Sequence, residues 1–184
     1  VVYPSVDTKT FLPKNIKKQD YYLVLSRLQH FKRFDLAIHA CNRLGKKLIV
    51  AGDGAAYNDL KAIAGPTIKF TGQVSDQEKI KLMQQAQAFI FPGDEDFGIV
   101  PVEAMAAGTP IIAYGVGGLL ESVIENKTGL FFSEQTVDSL VDCLRRFEKK
   151  KDQFTSDLCI SRAKKFDHQV FRQQILALVE EIMA

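Results

Sequence analysis

Residues 88–113 read AFIFPGDEDFGIVPVEAMAAGTPIIA and contain the pattern from which the fold can be predicted. Four apolar residues, 88–91, predict a short buried strand that stops at Pro92-Gly93. A polar loop follows, and then a helix that carries Pro101 in its first turn and ends at Gly108. Residues 110–113 predict a second buried strand. A strand, a helix and a strand at this spacing are typical of a parallel sheet.

The same alternation extends in both directions from this unit. Short apolar runs predict strands, and the capped or amphipathic segments between them predict helices, one of which opens with a capping box at Ser75 and Glu78. The predicted strands are 21–25, 48–51, 68–70, 88–91, 110–113 and 129–132. The predicted helices are 34–44, about 55–64, 76–85, the segment that ends at Gly108, 119–125, and all of 137–184. The sequence therefore predicts an α/β fold: a doubly wound, Rossmann-like parallel sheet of about six strands with a helical C-terminal tail.

Such a sheet brings distant loops together. Right-handed crossovers place every strand-to-helix loop at one edge, and open α/β sheets bind ligands at that edge. We therefore expect five segments to converge there, namely Arg27, 52–54, 72–76, 93–98 and 114–118. The fold alone thus favours a nucleotide-binding domain.

Composition excludes several other classes of protein. A chain of 184 residues with 46% hydrophobic residues fits one domain, and a net charge of +2 with dispersed Lys and Arg argues against a nucleic-acid partner. The three cysteines are scattered without metal-ligand spacing, which favours reduced thiols in a cytoplasmic protein and no metal site. No run reaches the ~18 apolar residues of a membrane span. Because residue 1 is Val and not Met, we expect an excised domain.

Glu103 is the only charged residue between Phe97 and Leu120. Burying a carboxylate among Ala, Val and Met costs several kcal/mol unless a donor satisfies it. A carboxylate near a helix N-terminus could merely complement the helix dipole, which contributes ~0.3–1 kcal/mol. The apolar neighbourhood favours a second interpretation, in which Glu103 accepts hydrogen bonds from the cis-diol of a ribose.

Other candidate residues are ambiguous when they are taken singly. Glu95 lies in an acidic loop beside Phe97-Gly98, where it could be a solvated acid or could face a polyhydroxylated group. Arg27 and Lys32 suit a diphosphate, and ordinary solvated cations explain them equally well. Tyr57 replaces the third glycine of a dinucleotide fingerprint that would begin at Gly52-x-Gly54, so a tight turn is favoured over an NAD site. The three glycines of 115–118 allow close backbone approach, or form a plain loop.

Taken together, these motifs resemble the donor-binding, C-terminal half of a retaining glycosyltransferase of family 4, which has the GT-B fold. The motifs that carry the resemblance are Ser26-Arg27-Leu28-x3-Lys32, Gly52-x-Gly54, Phe70-x-Gly72-x-Val74, Glu95-x7-Glu103 and Gly117-Gly118-x2-Glu121. Polysaccharide mannosyltransferases of bacteria and archaea look most similar.

The resemblance implies a role for each residue. Arg27, Lys32 and Glu95 would be catalytic: the two cations would neutralise the donor diphosphate, and Glu95 would face the donor sugar. The other implied donor-binding residues are Glu103 for the ribose, Phe97, Gly98 and Ile99 for the sugar, Val74, Asp76 and Lys79 for the base, and Gly52, Gly54, Gly117 and Gly118. An acid at position 76 favours guanine, hence GDP-mannose. The resemblance implies no metal and no cofactor beyond the nucleotide-sugar donor.

The resemblance also implies how the domain is used. Residues 1–165 would bind the nucleotide sugar, and the helix of 166–184 would pack on an N-terminal acceptor-binding domain that this chain does not contain. The fragment alone would then bind donor and turn over poorly. The acceptor would be a glycan or a lipid-linked molecule, reached at the inner membrane face through that domain. Alternatives are a nucleotide-sugar epimerase, which needs acid and base groups across a cleft, and a non-catalytic nucleotide-binding module. A glycosidase is disfavoured because both carboxylates fall on one edge.

Overall fold

Six short strands form a single sheet in the computed structural model, which describes residues 1–13 and 17–183. The strands are β1 (Tyr22–Leu25), β2 (Leu48–Ala51), β3 (Ile68–Gly72), β4 (Ala88–Phe91), β5 (Ile111–Tyr114) and β6 (Gly129–Phe132). Their order across the sheet is β3-β2-β1-β4-β5-β6, and every neighbouring pair is parallel. The order reverses between β1 and β4, and this is the position at which doubly wound sheets open a ligand crevice.

Helices cover both faces of the sheet. They are α1 (Thr8–Phe11), α2 (Phe34–Leu44), α3 (Tyr57–Ala62), α4 (Asp76–Gln85), α5 (Ile99–Ala106), α6 (Leu119–Ser122), α7 (Val137–Lys150), α8 (Ser156–Ala163) and α9 (His168–Met183). Strand side chains alternate between the faces. Tyr22 and Val24 join the core under α2 and α7, whereas Leu23 and Leu25 join the core under α5 and α8. Both faces of the strands are apolar for this reason, and the predicted fold class is confirmed.

The prediction that residues 137–184 are helical holds for most of this segment, and the structure divides it into separate helices. The chain turns through 3-10 segments at Lys151–Gln153 and Lys164–Phe166, so three separate helices form, and residue 184 lies outside the described residues. Thr155 is extended and its hydroxyl accepts a hydrogen bond from the Leu158 amide, which starts α8 as a new helix. Phe166 does not begin the last helix as predicted. Phe166 is the last residue of the 3-10 segment Lys164–Phe166, and its ring is buried two residues before α9 begins.

The first residues of the chain are tied to the start of α9. The Val6 amide donates to the Phe166 carbonyl at 2.8 Å, and the Thr8 hydroxyl donates to the Asp167 carboxylate at 2.5 Å. Beyond that point α9 has no buried residue, and Leu178 and Ile182 are among its exposed apolar side chains. The predicted division at residue 165 stays a prediction. Within the described residues, none of the helices has both the length and the apolar character that a membrane span requires.

Candidate functional site

The loops that follow the strands meet at the carboxyl edge of the sheet. The Gly52 amide donates to the Gly72 carbonyl at 2.8 Å, which joins the loops after β2 and β3. The Leu28 amide donates to the Asp53 carbonyl at 2.9 Å, which adds the loop after β1. The Gly118 amide donates to the Glu95 carbonyl at 3.1 Å, which joins the loops after β5 and β4. The edge is therefore one continuous surface assembled from five loops.

Glu103 lies on α5 with its carboxylate held by a lysine of α4. Lys79 donates from Nζ to Glu103 Oε1 at 3.0 Å, and the two side chains are 23% and 15% exposed. The ring of Phe11 lies 5.2 Å beneath the Lys79 ammonium. Burial raises the pKa of the Glu103 carboxyl, the hydrogen bond and charge of Lys79 lower it, and the nearby Asp76 raises it. The partner of this isolated carboxylate in the structure is thus Lys79.

Glu95 has a second lysine partner. The Lys32 ammonium, from the 3-10 turn His30–Lys32, forms an ion pair with Glu95, and both side chains are largely buried. The same ammonium lies 5.9 Å from the centre of the Phe91 ring, and burial lowers the pKa of Lys32. Each of the two predicted glutamates is therefore paired with a lysine that comes from a different loop or helix.

Arg27 is the third cation at this edge. It follows β1 and is exposed, between Ser26 and Leu28, which are both held by backbone hydrogen bonds. Within residues 1–13 and 17–183, the Arg27 side chain has neither a hydrogen bond nor an ion pair to protein groups. Its guanidinium is available to an anion.

The glycine motifs pack loop against loop. A Cβ on Gly52 would lie 2.0 Å from the Ser26 carbonyl oxygen, and one on Gly54 would lie 2.4 Å from that of Leu28. A Cβ on Gly118 would lie 2.4 Å from Phe97 Cα, and Gly117 has a φ of 56°. The lack of side chains is thus required to build the edge, and contact of these glycines with a donor stays a prediction.

The remaining candidates lie around the start of two helices. Gly98 precedes α5 and has a φ of 80°. As in any helix, the first backbone N–H groups of α5 have no acceptor within the helix. Phe97 is half-buried and Ile99 is exposed. At the start of α4, Ser75 and Glu78 form the predicted capping box, so Asp76 is not needed as a cap. Val74 is half-buried beside it.

Sequence reasoning missed Tyr3 and the Lys79–Glu103 contact. Tyr3 stacks on Phe97 with ring centres 5.7 Å apart, although 94 positions separate the two residues. No local pattern reveals either contact, because both depend on how the sheet brings distant segments together. Among the described residues, no group of three His, Cys, Asp or Glu side chains is placed to hold a metal ion.

The family profile that matches this chain describes glycosyl transferases, and curated relatives of the chain include a synthase and a mannosyltransferase. A family profile described as "Glycosyl transferases group 1" matches residues 7–166. The chain is 34% identical over 134 residues to glycogen synthase of Mycobacterium tuberculosis, covering 67% of this chain and 32% of the relative. It is 28% identical over 219 residues to the human alpha-1,3/1,6-mannosyltransferase ALG2, covering 100% of this chain and 52% of the relative. The chain thus spans between a third and about half of these curated relatives.

Solved structures share the fold across almost the whole chain. Anabaena Alr3699/HepE in complex with UDP and glucose superposes with a TM-score of 0.84 at 20% identity, covering 97% of this chain and 56% of that one. Sucrose-phosphate synthase from Thermosynechococcus elongatus gives a TM-score of 0.85 at 22% identity, covering 99% and 52%.

Proposed function

This chain belongs to the group 1 glycosyl transferases, and from that premise we propose that it is the donor-binding domain of a retaining glycosyltransferase that takes a nucleoside diphosphate sugar. The observation that carries the proposal is the pair of lysine–glutamate contacts, with Arg27 exposed in the loop that follows β1 at the same edge of the sheet. A donor has hydroxyls at both ends and a diphosphate in the middle. Two carboxylates and three cations at one edge match that order of groups.

The ribose replaces Lys79 at Glu103. Lys79 donates to the carboxylate at 3.0 Å, and a cis-diol offers two hydroxyl donors for the same oxygens. Hydrogen bonds to an ionised carboxylate contribute ~1.5–3 kcal/mol each, so the exchange compensates for the displaced lysine. Lys79 is then close to the base, and Asp76 at the start of α4 accepts from a purine that carries N–H donors.

The diphosphate draws on Lys32 and Arg27. Lys32 shares its charge between Glu95 and phosphate oxygens, and Arg27 binds the outer oxygens with its guanidinium. As the bond to the sugar breaks, negative charge grows on the leaving diphosphate, and two cations fixed at that point stabilise it. Glu95 then faces the sugar ring, whose transition state is positively charged.

We infer GDP-mannose as the donor. An acid at position 76 favours guanine, and a relative matched over the whole chain is named a mannosyltransferase. UDP-glucose is the second candidate, because Anabaena Alr3699/HepE, which shares the fold, was solved with UDP and with UDP-glucose. The two donors differ in both base and sugar, so the affinities of GDP and UDP compare the bases and those of the two nucleotide sugars compare the complete donors.

The acceptor belongs to the other half of the full-length enzyme. We propose that α9, with its exposed apolar residues, packs on an acceptor-binding domain, and that a glycan or a lipid-linked acceptor at the cytoplasmic membrane face reaches the site through that domain. The chain alone then binds donor and transfers little or no sugar. A nucleotide-sugar epimerase or a non-catalytic nucleotide-binding module would share the binding step and differ in turnover.

Calorimetric titration with GDP, UDP, ADP and GDP-mannose tests the proposal. We expect GDP and GDP-mannose to bind. Glu103→Ala weakens both, whereas Glu95→Ala weakens only GDP-mannose, and Glu180→Ala on exposed α9 serves as the matched control. A folded protein that binds none of the four ligands contradicts the proposed function.

A further inference from the structure

Three aromatic rings connect the first residues of the chain, the start of α9 and the loop that carries Glu95. Tyr3 stacks on Phe97 at 5.7 Å with an interplanar angle of 23°. Phe166 meets the edges of both rings, at 5.6 Å from Tyr3 and 5.4 Å from Phe97. These are favourable distances and orientations for aromatic pairs, and each ring contacts the other two.

Tyr3 and Phe166 are held together by the segments that carry them. Val6 binds the Phe166 carbonyl and pairs with Asp167 in a parallel bridge. His168 Nδ1 lies 2.7 Å from the Ser5 hydroxyl oxygen, one residue into α9. Residues 3–8 and 166–168 therefore form one unit, and we call it the flanking unit.

Arg162 braces Phe166 from the other side. Its guanidinium lies 5.2 Å from the centre of the Phe166 ring, and its Nε donates to the Ser122 carbonyl at 2.9 Å. Ser122 ends α6, the helix that follows the glycine loop. The ring cluster is thus linked to both loops that form this part of the sheet edge.

Phe97 has little freedom between these neighbours. A Cβ on Gly118 would lie 2.4 Å from Phe97 Cα, so the backbones of the two residues are in direct contact. Immediately after Phe97, Gly98 turns the chain into α5 at a φ of 80°. The first N–H groups of α5 have no acceptor within the helix, and the direction in which they point therefore depends on where the rings hold Phe97.

We propose that Tyr3 and Phe166 are positioning residues that set the Phe97–Gly98 backbone for the donor sugar and tie that backbone to the flanking unit, an inference that rests on the proposed function. Displacement of α9 relative to the sheet then moves the sugar-binding loop. Among the described residues, no ring of this cluster pairs with Glu103 or Lys79 at the nucleotide end of the site, so we expect loss of a ring to disturb that end less than the sugar end.

Calorimetry separates the two ends of the donor. Tyr3→Ala is expected to weaken the affinity for GDP-mannose about tenfold and to leave the affinity for GDP within about twofold of wild type. The loss is expected for the sugar because a small displacement of the Phe97–Gly98 backbone costs more than the ring contacts alone. Tyr3→Phe retains the ring and loses only the hydroxyl beside Glu121, so it should bind close to wild type, and Phe166→Leu should reproduce the loss in a buried position. Tyr57→Ala is the matched control, because Tyr57 also packs edge-on against one ring, Phe70 of β3, three strands away. UDP and UDP-glucose form the second ligand pair.

Amide hydrogen exchange, measured without ligand, tests the positioning role separately from the proposed donor-binding function. Amide hydrogen exchange over residues 94–99 should be faster in Tyr3→Ala than in wild type or Tyr57→Ala. Unchanged exchange in Tyr3→Ala, or equal weakening of GDP and GDP-mannose, overturns the positioning role while the proposed function stands. A wild-type protein that binds no nucleotide and no nucleotide sugar refutes the proposed function and, with it, the sugar-positioning role.

Discussion

Lys79→Met should destabilise the protein although it removes a charge from its interior. The substitution leaves the Glu103 carboxylate, 15% exposed, without its donor at 3.0 Å. Breaking a fully buried pair costs ~3–5 kcal/mol, and breaking an exposed one costs ~0.2–1 kcal/mol. With the lysine 23% exposed, this pair lies between the two cases, and we expect a loss of about 2 kcal/mol in the free energy of unfolding.

Removing both charges should have a much smaller effect. In Lys79→Met/Glu103→Leu neither side chain needs a partner. The free energy of unfolding of the double variant should therefore be within about 1 kcal/mol of the wild-type value or higher than it. The same variant should bind no GDP, because the carboxylate is gone. The pair is then retained for the ligand and not for stability.

Urea unfolding at pH 7, followed by circular dichroism, measures both effects in a double-mutant cycle. Lys81→Met on the same helix is the matched control, because Lys81 is exposed, and it should stay within about 0.5 kcal/mol of wild type. The reasoning is refuted if Lys79→Met behaves like Lys81→Met, or if the double variant loses as much as the two single variants combined.

Three further predictions concern pH and packing. Burial raises the pKa of Glu103 and Lys79 opposes the shift, so GDP affinity should rise as pH rises through that titration; in Lys79→Met the rise should move to higher pH, and calorimetry from pH 4.5 to 8 that finds the same midpoint contradicts this. Burial lowers the pKa of Lys18 to about 8, so a charged Lys18 weakens the folded state below that pH. Because Lys18→Met also removes the hydrogen bond from Nζ to Thr109 Oγ1, the test is the pH dependence: relative to Lys18→Met, the wild type should gain stability as pH rises from 8 toward 10.5, and a difference that does not change with pH is the opposing result. Gly118→Ala should lower the free energy of unfolding by ~1–3 kcal/mol, because its Cβ would overlap the backbone of the loop that carries Glu95. Gly72→Ala has open space at a φ of 70° and should lose only ~1 kcal/mol through backbone strain. Equal urea midpoints for the two variants would contradict this.

The sheet was predictable because its signals are local. The strands of β4 and β6 agree residue for residue with the apolar runs at 88–91 and 129–132, each bounded by turn residues. In the C-terminal segment, a last helix was predicted to begin at Phe166, two residues before α9 starts, and the break between α7 and α8 near Phe154 was not located. Both rings are buried in the core next to these breaks, and Thr155 caps the start of α8.

The site was predictable in its parts and not in its pairing. Isolation of Glu103 among apolar residues correctly indicated burial, and its spacing from Glu95 carried the family resemblance. Pairing of Lys79 with Glu103 joins residues 24 positions apart on different helices, and stacking of Tyr3 on Phe97 joins residues 94 apart. Contacts of this kind depend on the assembled sheet, so only the structure reveals that each glutamate holds a lysine before any donor binds.

The most direct test of a ribose at Glu103 compares GDP with 2′,3′-dideoxy-GDP on the wild-type protein and on Glu103→Ala by calorimetry. Wild type should prefer GDP by about tenfold or more, because two hydrogen bonds to a charged acceptor contribute ~1.5–3 kcal/mol each. Glu103→Ala should bind both nucleotides equally. A wild type without the preference, or a Glu103→Ala variant that retains it, would contradict the account.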